Sequence, residues 1–275
     1  AIIIGGTGQY GITLGKLLVQ KNFTVFITSR FKSKCQKLNK KNNEIKFIKL
    51  NIYNKNDIKK LLKKYNPKFI FYFAGQSSPT LSFKNRKATF KSNYVGCKNF
   101  LEIIEKNKFN CKFLNAASSE MFGKIKGSIN INTPKNPVNP YGKSKKKSFN
   151  LVKSYREKQK IQAYNAILFN TESFLRKKNF LIPKICLAAI NADKNKTKTM
   201  FNNIIVSREW NWCEEQCDYM LKFLKKKPQD FILSNGKSFS IKQMLNFAFS
   251  YFNLDYRNYI TAKKNKLSKY EIKTK

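Results

Sequence analysis

Seven residues near the start limit the fold more than any other stretch: Gly5-Gly6-Thr7-Gly8-Gln9-Tyr10-Gly11, set between an apolar run and an amphipathic one. Their spacing is G-x-x-G-x-x-G. Glycine suits such a turn because the backbone takes unusual dihedrals and must come close to a pyrophosphate. The helix that follows offers free N–H groups and the positive end of its dipole to that anion. A glycine cluster alone is a weak signal, and a merely tight strand-to-helix turn is the bland alternative. Its place directly between a first strand and a first helix favours a dinucleotide-binding turn.

The remaining chain keeps this rhythm. Strand-like runs fall at 1–4, 24–28, 46–50, 69–73, 112–116 and 162–169, with helical patterns over 10–21, 55–65, 83–106 and 142–158. Six strands with crossover helices predict an α/β fold, a Rossmann-type doubly wound parallel sheet covered on both faces. The segment 127–140, carrying Pro134, Pro137 and Pro140, reads as a surface excursion, and the Lys-Asn runs 37–43 and 191–199 as solvated loops. After Phe169 the pattern changes to helices separated by short strands. The expected organisation is a dinucleotide-binding Rossmann domain over 1–166 and a smaller appended lobe over 167–275, with a helix near 212–226 as a candidate to return to the first domain.

Composition narrows the partners. At 275 residues and 41% hydrophobic, the chain has material for a substantial core. Its apolar opening is too short for a signal peptide or a membrane span, and it begins so abruptly at the first strand that a residue or more is expected before Ala1. The net charge is +41, yet only six of the 56 basic residues are arginine (Arg30, Arg86, Arg156, Arg176, Arg208 and Arg257). A nucleic-acid reader concentrates charge on one face and uses arginine forks, whereas these lysines are spread throughout. Non-specific attraction of polyanions is expected, and a specific nucleic-acid partner is not. The six cysteines include no C-x-x-C, and Cys213 and Cys217, one helical turn apart, have no histidine to join them. Core or surface thiols in a reducing cytoplasm, with no metal, are the expectation.

The end of the second strand bears on the cofactor. An NAD binder usually places an acid there for the ribose 2′-hydroxyl. Thr28-Ser29-Arg30 offers none, and the Arg30 guanidinium suits a 2′-phosphate, which favours NADP over NAD. An ordinary surface arginine is the alternative.

The fifth strand runs into Ser118-Ser119-Glu120, and Pro140-Tyr141-Gly142-Lys143-Ser144-Lys145 opens a helix further on. Tyr141 and Lys145 form Y-x-x-x-K, on one helical face. A phenol with a pKa of about 10 is a poor base at neutral pH. A lysine ammonium beside it, with the nicotinamide charge nearby, favours the phenolate, and Ser118 is suited to bond the substrate hydroxyl that loses its proton. In so lysine-rich a chain Y-x-x-x-K arises readily by chance; together with Ser118 and the glycine turn it does not.

On these motifs the chain resembles the extended short-chain dehydrogenase/reductases, and among them the GDP-mannose 4,6-dehydratases. The likeness covers nearly the whole chain. Residues 5–18 match the family's G-x-T-G-Q-x-G loop and helix. Phe73-Ala74-Gly75-Gln76-Ser77-Ser78, continuing through Leu81-Ser82-Phe83 to Asn93 and Gly96, match the segment flanking nicotinamide and sugar. Ser118-Ser119-Glu120 match the T-S-E signature, and 165–173 with Arg176 and Arg208-Glu209-Trp210 match the nucleotide-sugar segments.

The resemblance implies cofactor contacts from Gly5, Thr7, Gly8, Gln9, Gly11, Arg30, Asn51, Ala74, Gly75, Gln76, Tyr141 and Lys145. It implies substrate contacts from Ser77, Asn170, Glu172, Arg176 and Arg208, with Lys184 near a phosphate, and catalysis by Ser118, Glu120, Tyr141 and Lys145. The implied reaction converts GDP-mannose to GDP-4-keto-6-deoxy-mannose: oxidation at C4, loss of water across C5–C6 with Glu120 as base, and hydride return to C6. A homo-oligomer, dimer or tetramer, comes with it. Several positions depart from the pattern. Tyr10 replaces an acid, Asn51 an aspartate that meets adenine, Thr171 and Trp212 histidines, and Leu175 the first of two arginines; the segment between strands two and three is short, and the chain stops before the last stretch of the usual lobe. Two other readings stay open. An epimerase or reductase of this fold needs Ser118, Tyr141 and Lys145 but no acid at Glu120, and a catalytically silent Rossmann protein needs none of the four.

Overall fold

A computed structural model of the chain describes residues 1–40, 43–125, 127–202 and 204–262. The elements run β1 (Ile2–Ile4), α1 (Gln9–Gln20), β2 (Val25–Ser29), α2 (Lys32–Asn39), β3 (Ile45–Lys49), α3 (Lys55–Tyr65) and β4 (Phe69–Tyr72). Then come α4 (Pro79–Lys84), α5 (Arg86–Phe90), a π-helical turn (Lys91–Val95), α6 (Gly96–Lys106), β5 (Lys112–Ser118), a 3-10 turn (Ser119–Met121), α7 (Pro140–Lys158) and β6 (Ala163–Leu168). The remainder is β7 (Asn170–Glu172), α8 (Leu181–Asn195), β8 (Thr199–Phe201), β9 (Ser207–Trp212), α9 (Cys213–Phe223), β10 (Asp230–Leu233), β11 (Ser238–Ser240), α10 (Ile241–Ser250) and β12 (Ile260–Ala262).

The chain divides into two units. The first comprises Ala1–Gly123, Asn130–Phe169 and Trp212–Leu233, and the second Lys124–Ile129, Asn170–Asn211 and the described residues from Ser234 onward. The first unit holds a parallel sheet ordered β10-β6-β5-β4-β1-β2-β3, the Rossmann-type arrangement that the βα rhythm predicts. Alternation along each strand sorts its side chains between two cores. Ile3 and Ile27 pack with Leu14 and Leu18 of α1 and with Cys213, Cys217 and Met220 of α9. Ile2, Ile4 and Ile70 pack with Leu62 of α3, Phe100 and Ile104 of α6 and Val152 of α7. All three β1 isoleucines are fully buried, each worth about 1.5–3 kcal/mol of transfer free energy. Cys213 and Cys217 thus recur at helical spacing because they face this core.

The sheet has seven strands where six were expected. The extra strand, β10, pairs in parallel with β6 and is only four residues long, too short to be read from alternation alone. A buried polar chain ties its end to the sheet. Asn115 donates to Asn165 (2.8 Å), Asn165 donates to Asp230 (2.8 Å), and Asp230 accepts a bidentate pair from Arg156, both at 2.8 Å.

Three local expectations need correction. The helical pattern over 83–106 is not one helix: it breaks at Asn85 and widens into the π-turn, where the Tyr72 hydroxyl takes the Ser92 carbonyl (2.7 Å). Part of the 37–43 run is helical, since α2 reaches Asn39, whose amide brackets Phe47 from both sides; Lys41 and Asn42 lie outside the described residues. The 191–199 run is helical to Asn195 and ends in the strand β8. Its solvent-facing Lys and Asn mask the apolar stripe Ile185, Ala188, Ala189 and Ala192, which forms the second unit's core with Leu245 and Phe249 of α10. Among the described residues no helix is long and apolar enough to cross a membrane.

Candidate active site

The glycine turn joins β1 to α1. Gly5 sits at φ +70°, a left-handed conformation, and a side chain there would strike Ala74 just beyond the neighbouring strand β4. Thr7 is half-buried, Gly8 exposed, Gln9 half-buried, and Gly11 lies buried in the first helical turn. Helix α1 begins with Gly8 as N-cap, with no side-chain cap and no acid in its first turn. A Cβ at Gly8 would meet nothing within 4 Å. An open backbone and an uncapped helix N-terminus match the shape and charge of a pyrophosphate, so the residues present fit a dinucleotide. Tyr10 stacks on Phe73 at 5.4 Å between ring centroids, and its hydroxyl bonds Gln216 of α9.

Arg30 leaves β2 exposed, its guanidinium 4.7 Å from the centre of the Phe31 ring. It also offsets the rise that burial causes in the Tyr53 phenol. Asn51 is exposed and accepts from the Tyr53 N–H at 3.1 Å, closing a small loop after β3. Ala74 is buried beyond β4, while Gly75 and Ser77 are exposed. The Gln76 side chain folds onto Ser78, donating to its carbonyl (2.7 Å) and accepting from its N–H (2.9 Å). This loop is pinned from the π-turn, where Asn93 donates to the Gln76 carbonyl (3.1 Å) and Ser92 accepts from the Gln76 N–H (3.3 Å). Neither Tyr72 nor Ser92 carries a sequence signal for this role: Tyr72 ends β4, and Ser92 sits in a π-turn that the helical pattern does not show.

Ser118 is the last residue of β5, nearly buried, and its hydroxyl accepts from the Glu120 N–H at 3.3 Å. Tyr141 is the second residue of α7 and Lys145 lies one turn on, both buried. The Lys145 ammonium is 5.8 Å from the centre of the Tyr141 ring and donates to the Ala116 carbonyl at 2.7 Å, two residues before Ser118. That bond ties α7 to the end of β5. Burial pulls the Lys145 pKa down to about 8, against a smaller opposing influence of Cys97.

One residue here had no assigned role. Asn139, 1% exposed, donates its amide to the Glu120 carboxylate at 2.7 Å and accepts from the Gly142 N–H at 2.7 Å. The signal was available: Asn followed by Pro at a helix start is an N-cap and first-turn pair.

The five other substrate candidates belong to the second unit, which carries a sheet ordered β11-β9-β7. Asn170 donates to the Glu209 carbonyl at 3.1 Å, and Arg208 to the Ser207 carbonyl at 2.9 Å. Arg176 lies 3.5 Å from the Glu172 carboxylate and 3.7 Å from the centre of the Phe180 ring. Burial raises the Glu172 pKa to about 7 and Arg176 pulls it back. Lys184 donates to the Met200 carbonyl at 2.6 Å and sits over Phe201. Ser77 belongs to the first unit.

A family model described as GDP-mannose 4,6 dehydratase matches residues 2–275. The chain is similar to GDP-mannose 4,6 dehydratase 1 of Arabidopsis thaliana, 29% identical over 96% of this chain and 78% of that protein. It is similar to GDP-mannose 4,6 dehydratase 2 of Caenorhabditis elegans, 30% identical over 91% of this chain and 70% of that one. Solved structures share the fold as well. The dTDP-glucose 4,6-dehydratase of Streptomyces venezuelae, with NAD bound, has a TM-score of 0.82 at 15% identity, over 95% of this chain and 83% of that one. The UDP-N-acetylglucosamine 4-epimerase of Methanobrevibacter ruminantium has a TM-score of 0.86 at 19% identity, over 99% and 87%.

Proposed function

The chain belongs to the GDP-mannose 4,6-dehydratase family, and on that footing we propose that it is a hydro-lyase converting GDP-mannose to GDP-4-keto-6-deoxy-mannose with NADP. A nicotinamide held by the glycine turn would supply hydride chemistry, as an acceptor from C4 and a donor to C6. Every other task falls to side chains. Tyr141 takes the proton of the 4-hydroxyl, and the Lys145 ammonium beside it favours the phenolate. Ser118 donates its hydroxyl proton to the substrate oxygen and orients it. The 4-keto group acidifies C5–H, Glu120 removes that proton and passes it to the C6 hydroxyl, which leaves as water, and C5 regains a proton from solvent when hydride is added at C6.

The observation that carries the dehydratase reading over an epimerase is the anchored carboxylate of Glu120, fastened by Asn139 to the helix bearing Tyr141 and Lys145. Oxidation and return at C4 alone would give it no task. Arg30 beyond β2, with no acid in Thr28-Ser29-Arg30, supports NADP rather than NAD. Gly5, Thr7, Gly8, Gln9 and Gly11 would hold the pyrophosphate, and Asn51, Ala74, Gly75 and Gln76 would flank the rest of the cofactor. Ser77, Asn170, Glu172, Arg176, Lys184 and Arg208 are read as contacts to the GDP-sugar. The reading includes assembly as a dimer or tetramer and work in the cytoplasm. Incubating the purified protein with GDP-mannose tests it: a 6-deoxy-4-keto product formed without net consumption of cofactor is expected. A C4-epimerised hexose would favour an epimerase, and unaltered GDP-mannose a silent binding protein.

A further inference from the structure

The geometry points to Asn139 as the positioning residue of the elimination step, one that holds the Glu120 carboxylate in register with Tyr141. The inference rests on the reading of Glu120 as the base. A glutamate on a 3-10 turn has three rotatable bonds, and fixing it requires a partner that is itself fixed. Asn139 meets that need. It is 1% exposed, extended at φ −132° and ψ 160°, and followed by Pro140, whose ring restrains the chain as it enters α7.

Both ends of the Asn139 amide are engaged, each with an unambiguous partner. Its oxygen accepts the Gly142 N–H and its nitrogen donates to a carboxylate oxygen of Glu120, each at 2.7 Å. Flipping the amide would set N–H against N–H and oxygen against carboxylate, so its orientation is determined. The backbone of the same glutamate packs closely there too. A Cβ at Gly142 would collide with the Glu120 carbonyl oxygen, so glycine lets that carbonyl lie directly on the first turn of α7. Glu120 is therefore clamped by side chain and by main chain onto the turn that presents Tyr141. The proton acceptor for C4 and the base for C5 must serve adjacent carbons of one sugar, and this clamp makes their spacing a property of one helix end.

Asn139→Asp separates this role from simple helix capping. Aspartate keeps the acceptor for Gly142 but turns an oxygen toward the Glu120 carboxylate. Asn139→Ser keeps a capping hydroxyl too short to serve the carboxylate, and carries the test should the aspartate variant fail to fold. With GDP-mannose in heavy water, two steps are followed: the rise in reduced-nicotinamide absorbance that reports C4 oxidation, and deuterium entering C5 of recovered sugar. Both variants are expected to keep the first and to slow the second by roughly tenfold or more. A role confined to helix structure would slow both steps together, because α7 carries Tyr141 and Lys145; that result, or unchanged C5 exchange, overturns the inference. If the wild type forms reduced nicotinamide but never exchanges C5, the dehydratase reading itself has failed, and this inference with it.

Discussion

Burial disfavours the charged form of Lys145. Its ammonium is buried against one carbonyl oxygen, and the pKa falls from an ordinary 10.5 to about 8. The linkage has a definite sign. Below pH 8 folded and unfolded chains both hold the proton, and the folded state bears the burial cost. Between 8 and 10.5 the unfolded chain keeps its proton while the folded chain releases it, so stability rises with pH across that window. The Lys145→Met variant lacks this term. In urea unfolding, wild type should gain on Lys145→Met by about 2–3 kcal/mol between pH 7.5 and pH 10.5. A difference independent of pH would place the folded pKa near its ordinary value. Arg30 makes a simpler claim. Arg30→Asp should weaken NADP binding by roughly tenfold or more, the loss of a charge-assisted phosphate contact, and NAD binding much less. Equal losses in a binding titration would mean that Arg30 does not read the 2′-phosphate.

At the scale of elements, the end strand β10 depends on a chain of buried polar groups that reaches back to β5 through Asn115, Asn165, Asp230 and Arg156. Arg156 and Asp230 side chains are 12% and 10% exposed, so removing the charge of one strands the other. Asp230→Asn should cost about 3 kcal/mol, read as a lower urea midpoint; a loss within 0.5 kcal/mol would show that the pair contributes little beyond its packing. Elements whose signal is local were legible in the chain. Helix α3 carries its own cap, Asn54, and its own stripe, Ile58, Leu61 and Leu62, and it occupies 55–65 as expected. The π-turn was not legible, because its cause lies outside the segment: the Tyr72 hydroxyl and the Gln76 backbone draw on Ser92 and Asn93. β10 was hidden for a related reason. Its four residues join the sheet through β6 and through Asn165 and Arg156, which bond its Asp230 from positions distant in sequence.

Across the whole molecule, the catalytic end follows from motif chemistry more directly than the substrate lobe does. Ser118, Tyr141 and Lys145 announce themselves because their chemistry requires those residue types at those places, and the Rossmann sheet brings β5 and α7 side by side through the Lys145–Ala116 bond. What sugar recognition demands of Asn170, Arg176 or Arg208 is less strictly tied to spacing, so their assignment leans on resemblance. Lysine enrichment, which raises the charge to +41, leaves both the sheet and the glycine turn intact, consistent with charge carried on solvated faces. At the centre of the mechanism stands Glu120, as the base of the elimination that follows oxidation at C4. Glu120→Gln tests it most directly, since the amide keeps size and hydrogen bonding but cannot take the C5 proton. Given GDP-mannose, the variant should oxidise C4 and stall, with reduced-nicotinamide absorbance accumulating, no deuterium entering C5 from heavy water and no 6-deoxy product. Formation of 6-deoxy product by Glu120→Gln at the wild-type rate would show that Glu120 is not the base.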